Sequence, residues 1–419
     1  MNKYFLKYGF QTIKLLEKPS DNLGIIVVIP CFNEKNILAT LSSLNSCNQS
    51  FCDVKIIIVI NQPEIISEEI SSQNEQTFKE IKQGKKENNY SFKLDVLFEK
   101  ELPKKHAGVG LARKIGMDEA VMQFDSINKD GIIVCLDADC EVESNYFVEI
   151  EKHFETFPKT PGCSIKYAHH LEGNVYKQDI YEGIINYELH LRYYNQMLHY
   201  CGVPYAFHTV GSSMAIKSSA YQKQGGMNKR KAGEDFYFLH KIIELGGFTE
   251  LNSTTVFPSP RISDRVPFGT GKAIGDWIDS KENEYFTYDF CSFDSLKIVF
   301  DNLKTIYRTS KFKIKNDLVI SFLKQIDFEK KIEEIKNNTT NFESFKKRFY
   351  TFFNAFLILK FVHFSRDNFY KNQSIESQTK ILLKKVHNLE CNALNKKELL
   401  ELLRKIEKNE LGEKYYFCI

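Results

Sequence analysis

Gly131-Ile-Ile-Val-Cys-Leu-Asp137-Ala-Asp139-Cys140 is the stretch on which the reading of this chain turns. Residues Ile132 to Leu136 are continuously apolar and β-favouring, a composition suited to a strand buried on both faces of a parallel sheet. Asp137 and Asp139 then fall at its carboxyl end, where open α/β sheets bind ligands. Two carboxylates spaced as Asp-x-Asp can chelate a hard divalent cation. Mg²⁺ or Mn²⁺ held this way keeps positions open for substrate phosphates. The bland alternative is a turn, since Asp is common just past a strand.

Working outward towards the amino terminus, Gly24-Ile-Ile-Val-Val-Ile-Pro30 repeats the buried-strand signal. A loop Cys31-Phe-Asn-Glu34 follows, and then Ile37, Leu38, Leu41 and Leu44 recur at helical spacing. Val54 to Ile60 reads as a second strand, with a polar helical stretch to about Lys86, and Phe92 to Phe98 as a third. Lys104-Lys105-His106-Ala-Gly108-Val-Gly110-Leu-Ala-Arg113 is a basic, glycine-containing loop entering a helix. Its glycines let backbone approach a ligand, and its helix start and cations favour an anion. The order of a P-loop is absent. Strands alternating with helices predict a mostly parallel α/β sheet.

Beyond Asp139, Tyr146 to Phe157 and Tyr181 to Tyr200 read as helices, and Val203 to Lys217 as an extended segment around Gly211-Ser-Ser. Glu234 and Asp235 precede an apolar helical face of Phe238, Leu239, Ile242 and Ile243, which puts both acids at a helix amino terminus. There they interact favourably with the helix dipole. An Asp so placed can also deprotonate a hydroxyl nucleophile within hydrogen-bond reach. Pro258 to Lys272 is rich in Pro, Gly and Arg and reads either as a surface linker or as a loop whose Arg261 and Arg265 close over phosphate oxygens. From Trp277 onwards the chain is Lys-, Asn- and Glu-rich and mainly helical, with no catalytic constellation.

With 419 residues, 42% of them hydrophobic, the chain has material for a large core. A net charge of +3 is too small to argue for nucleic acid. No signal peptide or membrane-spanning run is visible: Phe352 to Val362, the longest candidate, is interrupted by Asn354 and Lys360 and is expected to pack in a core. The ten cysteines show no C-x-x-C pairing and read as reduced thiols of a cytoplasmic protein.

Taken in order, Val28-Ile-Pro-Cys-Phe-Asn-Glu34, Gly110-Leu-Ala-Arg113, Leu136-Asp-Ala-Asp139 and Ala232-Gly-Glu-Asp235 resemble a family 2 glycosyltransferase with the GT-A fold, over roughly residues 22–275. The resemblance implies a GT-A domain at 1–275, followed by a helical region of unknown role at 276–419. It also implies a hexosyltransferase-type enzyme that moves a sugar from a nucleotide diphosphate sugar, a UDP-sugar favoured, to a hydroxyl of a glycan or glycoconjugate with inversion. By the same resemblance Asp137 and Asp139 hold Mn²⁺ or Mg²⁺, Asp139 as the more direct ligand. Asp235 is the general base, with Glu234 beside it. The donor is bordered by Pro30, Phe32, Asn33, Glu34, Asn61, Gly108, Arg113, Asp137, Ala138, Asp139, Arg261 and Arg265. Two departures stand out: Asn61 occupies a place where the family commonly has acidic residues, and no histidine lies between Gly246 and Arg265 to complete a metal site. Arg261 and Arg265 are therefore expected to share the diphosphate charge, with the metal held weakly.

Two other readings stay open. A parallel sheet, a basic glycine loop and an Asp-x-Asp site also suit nucleotidyl transfer, whose product is pyrophosphate. A non-catalytic scaffold that binds sugar nucleotides or glycans is the second. Neither calls for nucleic acid. The lysine-rich tail invites a peripheral contact with the inner face of a membrane, but its interleaved acids favour a solvated helical face.

Overall fold

The computed structural model describes residues 2–10, 13–15, 17–263, 265, 269–280, 284–309 and 314–408. The chain divides into two compact units, residues 1–170 with 208–272, and residues 171–207 with 273–419.

The first unit is built on an eight-stranded sheet. Its strands are β1 (Leu23–Cys31), β2 (Asp53–Pro63), β3 (Lys93–Leu102), β4 (Ile132–Cys135), β5 (Glu141–Val142), β6 (Gly162–Tyr167), β7 (Met214–Lys217) and β8 (Thr249–Phe257). Their order across the sheet is β3-β2-β1-β4-β7-β6-β8-β5. The β3-β2-β1-β4 half is parallel throughout. In the other half β7 runs antiparallel to both β4 and β6, β6 and β8 are parallel, and β5 closes the edge antiparallel to β8. Ile25 to Ile29 and Ile56 to Ile60 are fully buried, as continuous runs of β-branched residues with helices on both faces must be.

The helices Ile37–Asn45, Glu68–Glu87 and Val109–Ser126 connect the first four strands. Val109–Ser126 lies so close to the sheet that a Cβ on Gly116 would collide with Val28 Cγ1. Leu136 ends the apolar run just past β4, where its amide still donates to the Val28 carbonyl at 3.2 Å. The strands expected at 24–30, 54–60, 92–98 and 132–136 are all present. β6 and β8 carry no comparable signal in the sequence, and of the extended segment 203–217 only Met214–Lys217 is strand.

The second unit is helical. The helix Gln178–Tyr200 buries Tyr181, Ile184, Leu189, Tyr193 and Met197, and packs against Ile375–His387 and Lys396–Glu407. Glu188, fully buried, accepts from Arg192 Nε at 2.8 Å and from Arg404 Nε and Nη2 at 2.8 and 2.6 Å, while Arg192 also pairs with Glu407. This differs from the expected division at 275/276, because residues 171–207 belong with the C-terminal helices. The physical reason is that this helix buries apolar side chains and a carboxylate whose partners come from residues beyond 370. Phe353, Ile358, Phe361 and Val362 are fully buried, so the longest apolar stretch does pack in a core. No helix among the described residues is long and apolar enough to cross a membrane. The described cysteines are all free thiols.

Candidate active site

Three segments meet beyond the carboxyl ends of β1 and β4. The loop after β1 turns at Asn33, whose φ of 49° is a left-handed conformation that asparagine tolerates. The Asn33 amide donates to Asn74 Oδ1 at 2.8 Å, and Asn74 in turn donates to Gln62 at 3.2 Å, so helix Glu68–Glu87 fixes the loop. Glu34 follows, 2% exposed, its carboxylate accepting the Lys35 and Asn36 amides at 3.0 and 3.2 Å. The turn after β4 is pinned by Thr40 Oγ1, which donates to the Ala138 carbonyl at 2.9 Å. The third segment follows β8: Arg261 bridges the other two, Nη2 donating to Glu34 Oε2 at 2.5 Å and Nε to Asp139 Oδ2 at 2.7 Å. Arg265 Nη1 donates to the Phe32 carbonyl at 2.7 Å.

A second cluster centres on Arg113, whose side chain is 3% exposed. One end of its guanidinium pairs with Asp137 Oδ1 at 2.5 Å and the other with Glu234. Glycines make this approach feasible. A Cβ on Gly110 would collide with the Arg230 carbonyl oxygen and lie 3.0 Å from Glu234 Cβ, and one on Gly211 would stand about 2.5 Å from the Arg113 guanidinium. Glu234 and Asp235 open helix Glu234–Ile243 behind Gly233 at φ 67°. Asn228 ties the helix start down, its Nδ2 donating to the Glu234 carbonyl at 2.8 Å.

Burial dominates the acids here. It pushes Asp139 up to about 6, against Arg261 and with help from Asp137 and Glu34. It carries Glu234 up to about 7, Arg113 opposing and Asp235 adding to the rise. Asp235 is also raised by burial, with Arg113 and the amides of Phe236 and Gly211 pulling the other way. For Arg113 burial works against the charge, and Asp137 and Glu234 more than restore it.

The sequence-derived set is therefore brought together in part. Glu34, Asp139, Arg261, Arg265 and Phe32 form one contact group, and Arg113, Asp137 and Glu234 another with Asp235 alongside. Pro30 is internal to β1 opposite Val59, and Asn61, 3% exposed, lies one residue past the Cys31–Ile60 pair on the same sheet edge. Gly108 serves packing: a Cβ there would meet Lys231 at 3.0 Å. Ala138 contributes a carbonyl to a turn bond. Thr40, Asn74 and Asn228 are silent in the sequence, because each acts only through a contact made by the fold, and Gly211, at the centre of the expected extended segment, gives no sign there of the Arg113 guanidinium it admits.

Among the described residues no three His, Cys, Asp or Glu side chains form an all-protein metal cage. Asp137 and Asp139 each have one oxygen engaged by an arginine and a second outside those pairs. Five carboxyl groups (Glu34, Asp137, Asp139, Glu234, Asp235) share three guanidiniums (Arg113, Arg261, Arg265), and burial raises three of the five, Asp139, Glu234 and Asp235, so that they hold their protons more firmly. Such a donor set fits a divalent cation of the kind that takes one or two carboxylates and completes its shell with phosphates.

Residues 26–208 match Glycosyl transferase family 2. Among solved structures, that of S. aureus TarS 1-349 is 11% identical over 57% of this chain and 60% of its own, with a TM-score of 0.38. TarS 1-349 in complex with UDP-GlcNAc is 12% identical over 67% of this chain and 72% of its own, at a TM-score of 0.40. For the complex with UDP the figures are 12%, 67%, 71% and 0.39. The chain thus spans 60% of the length of the first of these structures. No curated protein matches it in sequence. The family match covers β4 and the Asp137–Asp139 turn and ends before Glu234, Asp235, Arg261 and Arg265. Residues 26–208 of this chain are thus similar to Glycosyl transferase family 2, in the part that carries β4 and the Asp137–Asp139 turn.

Proposed function

We propose that the chain transfers a sugar from a nucleotide diphosphate sugar, UDP-linked in the first instance, to a hydroxyl of a glycan or glycoconjugate, with Asp235 as general base. The observation that carries this reading is Arg113, which ties Asp137, at the end of β4, to Glu234, the neighbour of Asp235. One buried guanidinium thereby couples the carboxylate turn expected to face the diphosphate to the acid expected to face the acceptor. Arg261 and Arg265 supply guanidiniums for phosphate oxygens once they release Asp139 and the Phe32 carbonyl, and charge-assisted bonds favour that exchange. Asp235 takes the acceptor proton as the hydroxyl oxygen attacks the anomeric carbon, and the nucleoside diphosphate departs from the opposite face. A single displacement of this kind inverts the anomeric carbon.

Asp139 and Asp137 would hold the divalent cation, Mn²⁺ or Mg²⁺, which when bound neutralises charge on the departing diphosphate. The free second oxygens of Asp137 and Asp139 support this reading.

Calorimetric titration of UDP, GDP and CDP with and without Mn²⁺, on wild type and Asp139→Ala, tests the donor site. One nucleotide is expected to bind in a manner dependent on Mn²⁺ and Asp139, and uniform failure of all three would sink the proposal. Asp235→Asn is expected to bind that nucleotide as wild type does while kcat falls by about 10²–10⁴-fold. Free nucleoside diphosphate as product, rather than pyrophosphate, separates sugar transfer from nucleotidyl transfer.

A further inference from the structure

Two loops beside Asp235 carry cations that the proposed chemistry does not use. The turn before helix Val109–Ser126 presents Lys104 and Lys105, and the loop before helix Glu234–Ile243 presents Lys229, Arg230 and Lys231; all five side chains are exposed. The fold presses these loops together. A Cβ on Gly108 would stand 3.0 Å from Lys231 Cα, and one on Gly110 would collide with the Arg230 carbonyl oxygen. The first turn is itself held compact, the His106 and Ala107 amides donating to the Pro103 carbonyl at 2.8 and 2.9 Å.

Some surface lysines of this chain meet carboxylates, as Lys100 meets Glu75 and Lys397 meets Glu172. Among the described residues none of these five has a carboxylate within ion-pair distance. Arg230 instead lies over the Tyr237 ring at 3.6 Å, which fixes its charge on the helix that begins with Glu234 and Asp235. The whole chain carries a net charge of only +3, so five cations on two abutting loops are a local excess and not a general basicity. Such an excess on one rim raises the local concentration of polyanions and is screened by salt.

We infer that the acceptor is a polyanionic glycan, bearing phosphodiesters or carboxylates along its length, which these five cations draw across the rim to place a hydroxyl at Asp235. This inference rests on the sugar-transfer reading above and names the class of acceptor that reading leaves open. The chemistry shared by its two sources is a repeating anion on a hydroxyl-bearing chain. Free nucleic acid, the other polyanion, offers no comparable run of sugar hydroxyls when it is DNA.

The test uses the full chain and a fourfold variant, Lys104→Glu, Lys105→Glu, Lys229→Glu and Lys231→Glu, all at exposed positions outside the donor contacts. Fluorescence anisotropy would follow binding of labelled alginate oligosaccharides, linear polyphosphate, neutral dextran and duplex DNA, with UDP titrated in parallel. Wild type is expected to bind alginate or polyphosphate, whichever carries the matching anion, in a salt-sensitive way. It is expected to bind dextran and DNA at least about tenfold more weakly. The variant is expected to lose about tenfold or more of the polyanion affinity while its UDP affinity stays within about twofold. Equal polyanion binding by both proteins, preference for dextran, or preference for DNA would each overturn the inference while leaving the donor reading intact. Cation-dependent polyanion binding with no nucleotide binding would overturn the acceptor assignment along with the donor site.

Discussion

Arg113 and Arg261 do similar things in unlike settings. Each bridges two carboxylates from distant segments, Asp137 with Glu234 in one case and Asp139 with Glu34 in the other. Arg113 sits within a helix at 3% exposure between a strand end and a helix start, whereas Arg261 follows β8 on a loop and keeps 27% of its side chain in solvent. A charge that deep cannot be released without a heavy desolvation penalty, so Arg113 belongs to the frame. Arg261 is itself partly solvated and exchanges its carboxylates for a phosphate at a smaller cost than Arg113 would, although its partner Glu34 is buried. The site thus combines a fixed ion bridge that sets spacing with an open one that a ligand can take over.

Removing the fixed bridge should have the largest effect. Arg113→Ala leaves Asp137 and Glu234 without their partner, and a loss of about 3–5 kcal/mol of unfolding free energy is expected by urea titration. A loss no larger than that of Arg261→Ala would place Arg113 in the same class as Arg261 and dissolve the contrast. Arg261→Ala should cost less stability than Arg113→Ala, about 1–3 kcal/mol because Glu34 stays buried, and weaken nucleotide diphosphate binding by about tenfold, or about 1.4 kcal/mol. The reverse pattern, unfolding without change in affinity, would make Arg261 part of the frame.

Acidity offers a subtler probe. Glu234 titrates near 7 in the folded chain against 4.5 for an ordinary glutamate, so the folded state holds the extra proton. Its contribution to stability is full below about 4.5 and is lost as pH rises towards about 7. The slope of stability against pH in that window should flatten in Glu234→Gln, measured by thermal melts of the ligand-free protein; an unchanged slope would assign the titration elsewhere. The smallest effect is reserved for the turn: Thr40→Val removes the bond to the Ala138 carbonyl and should cost about 1 kcal/mol. A nucleotide affinity that nonetheless falls more than about tenfold would show that this turn needs as firm a hold as Arg113 provides.

The parts legible in the sequence are those whose signal is local. Ile132 to Leu136 and Ile25 to Ile29 announce buried parallel strands by composition alone, and the acids at 137, 139, 234 and 235 announce their positions by following a strand or opening a helix. β8 is not legible because Thr249-Glu-Leu-Asn-Ser-Thr-Thr is polar and only half buried, and its pairing with β6 is a long-range event. The glycines at 108 and 110 suggest a ligand, yet they admit the 228–234 loop, a neighbour no window around residue 110 contains. Glu34 falls in a motif that points to the donor site, and nothing near it in sequence announces the two arginines that come to it from residues 261 and 265.

The buried bridge from Glu188 to Arg404 spans 216 residues of chain. At a synthesis rate of about 5–20 residues per second, the helix carrying Glu188 leaves the ribosome roughly 10–40 seconds before its partner. During that interval Glu188 and Arg192 have only each other and water, and the apolar side of their helix has no cover from Lys396–Glu407. The sheet unit, whose last strand ends at Phe257, can close well within the same interval. The half that holds the acids can therefore close first, while the helical half lacks the cover of Lys396–Glu407 until that helix has been made.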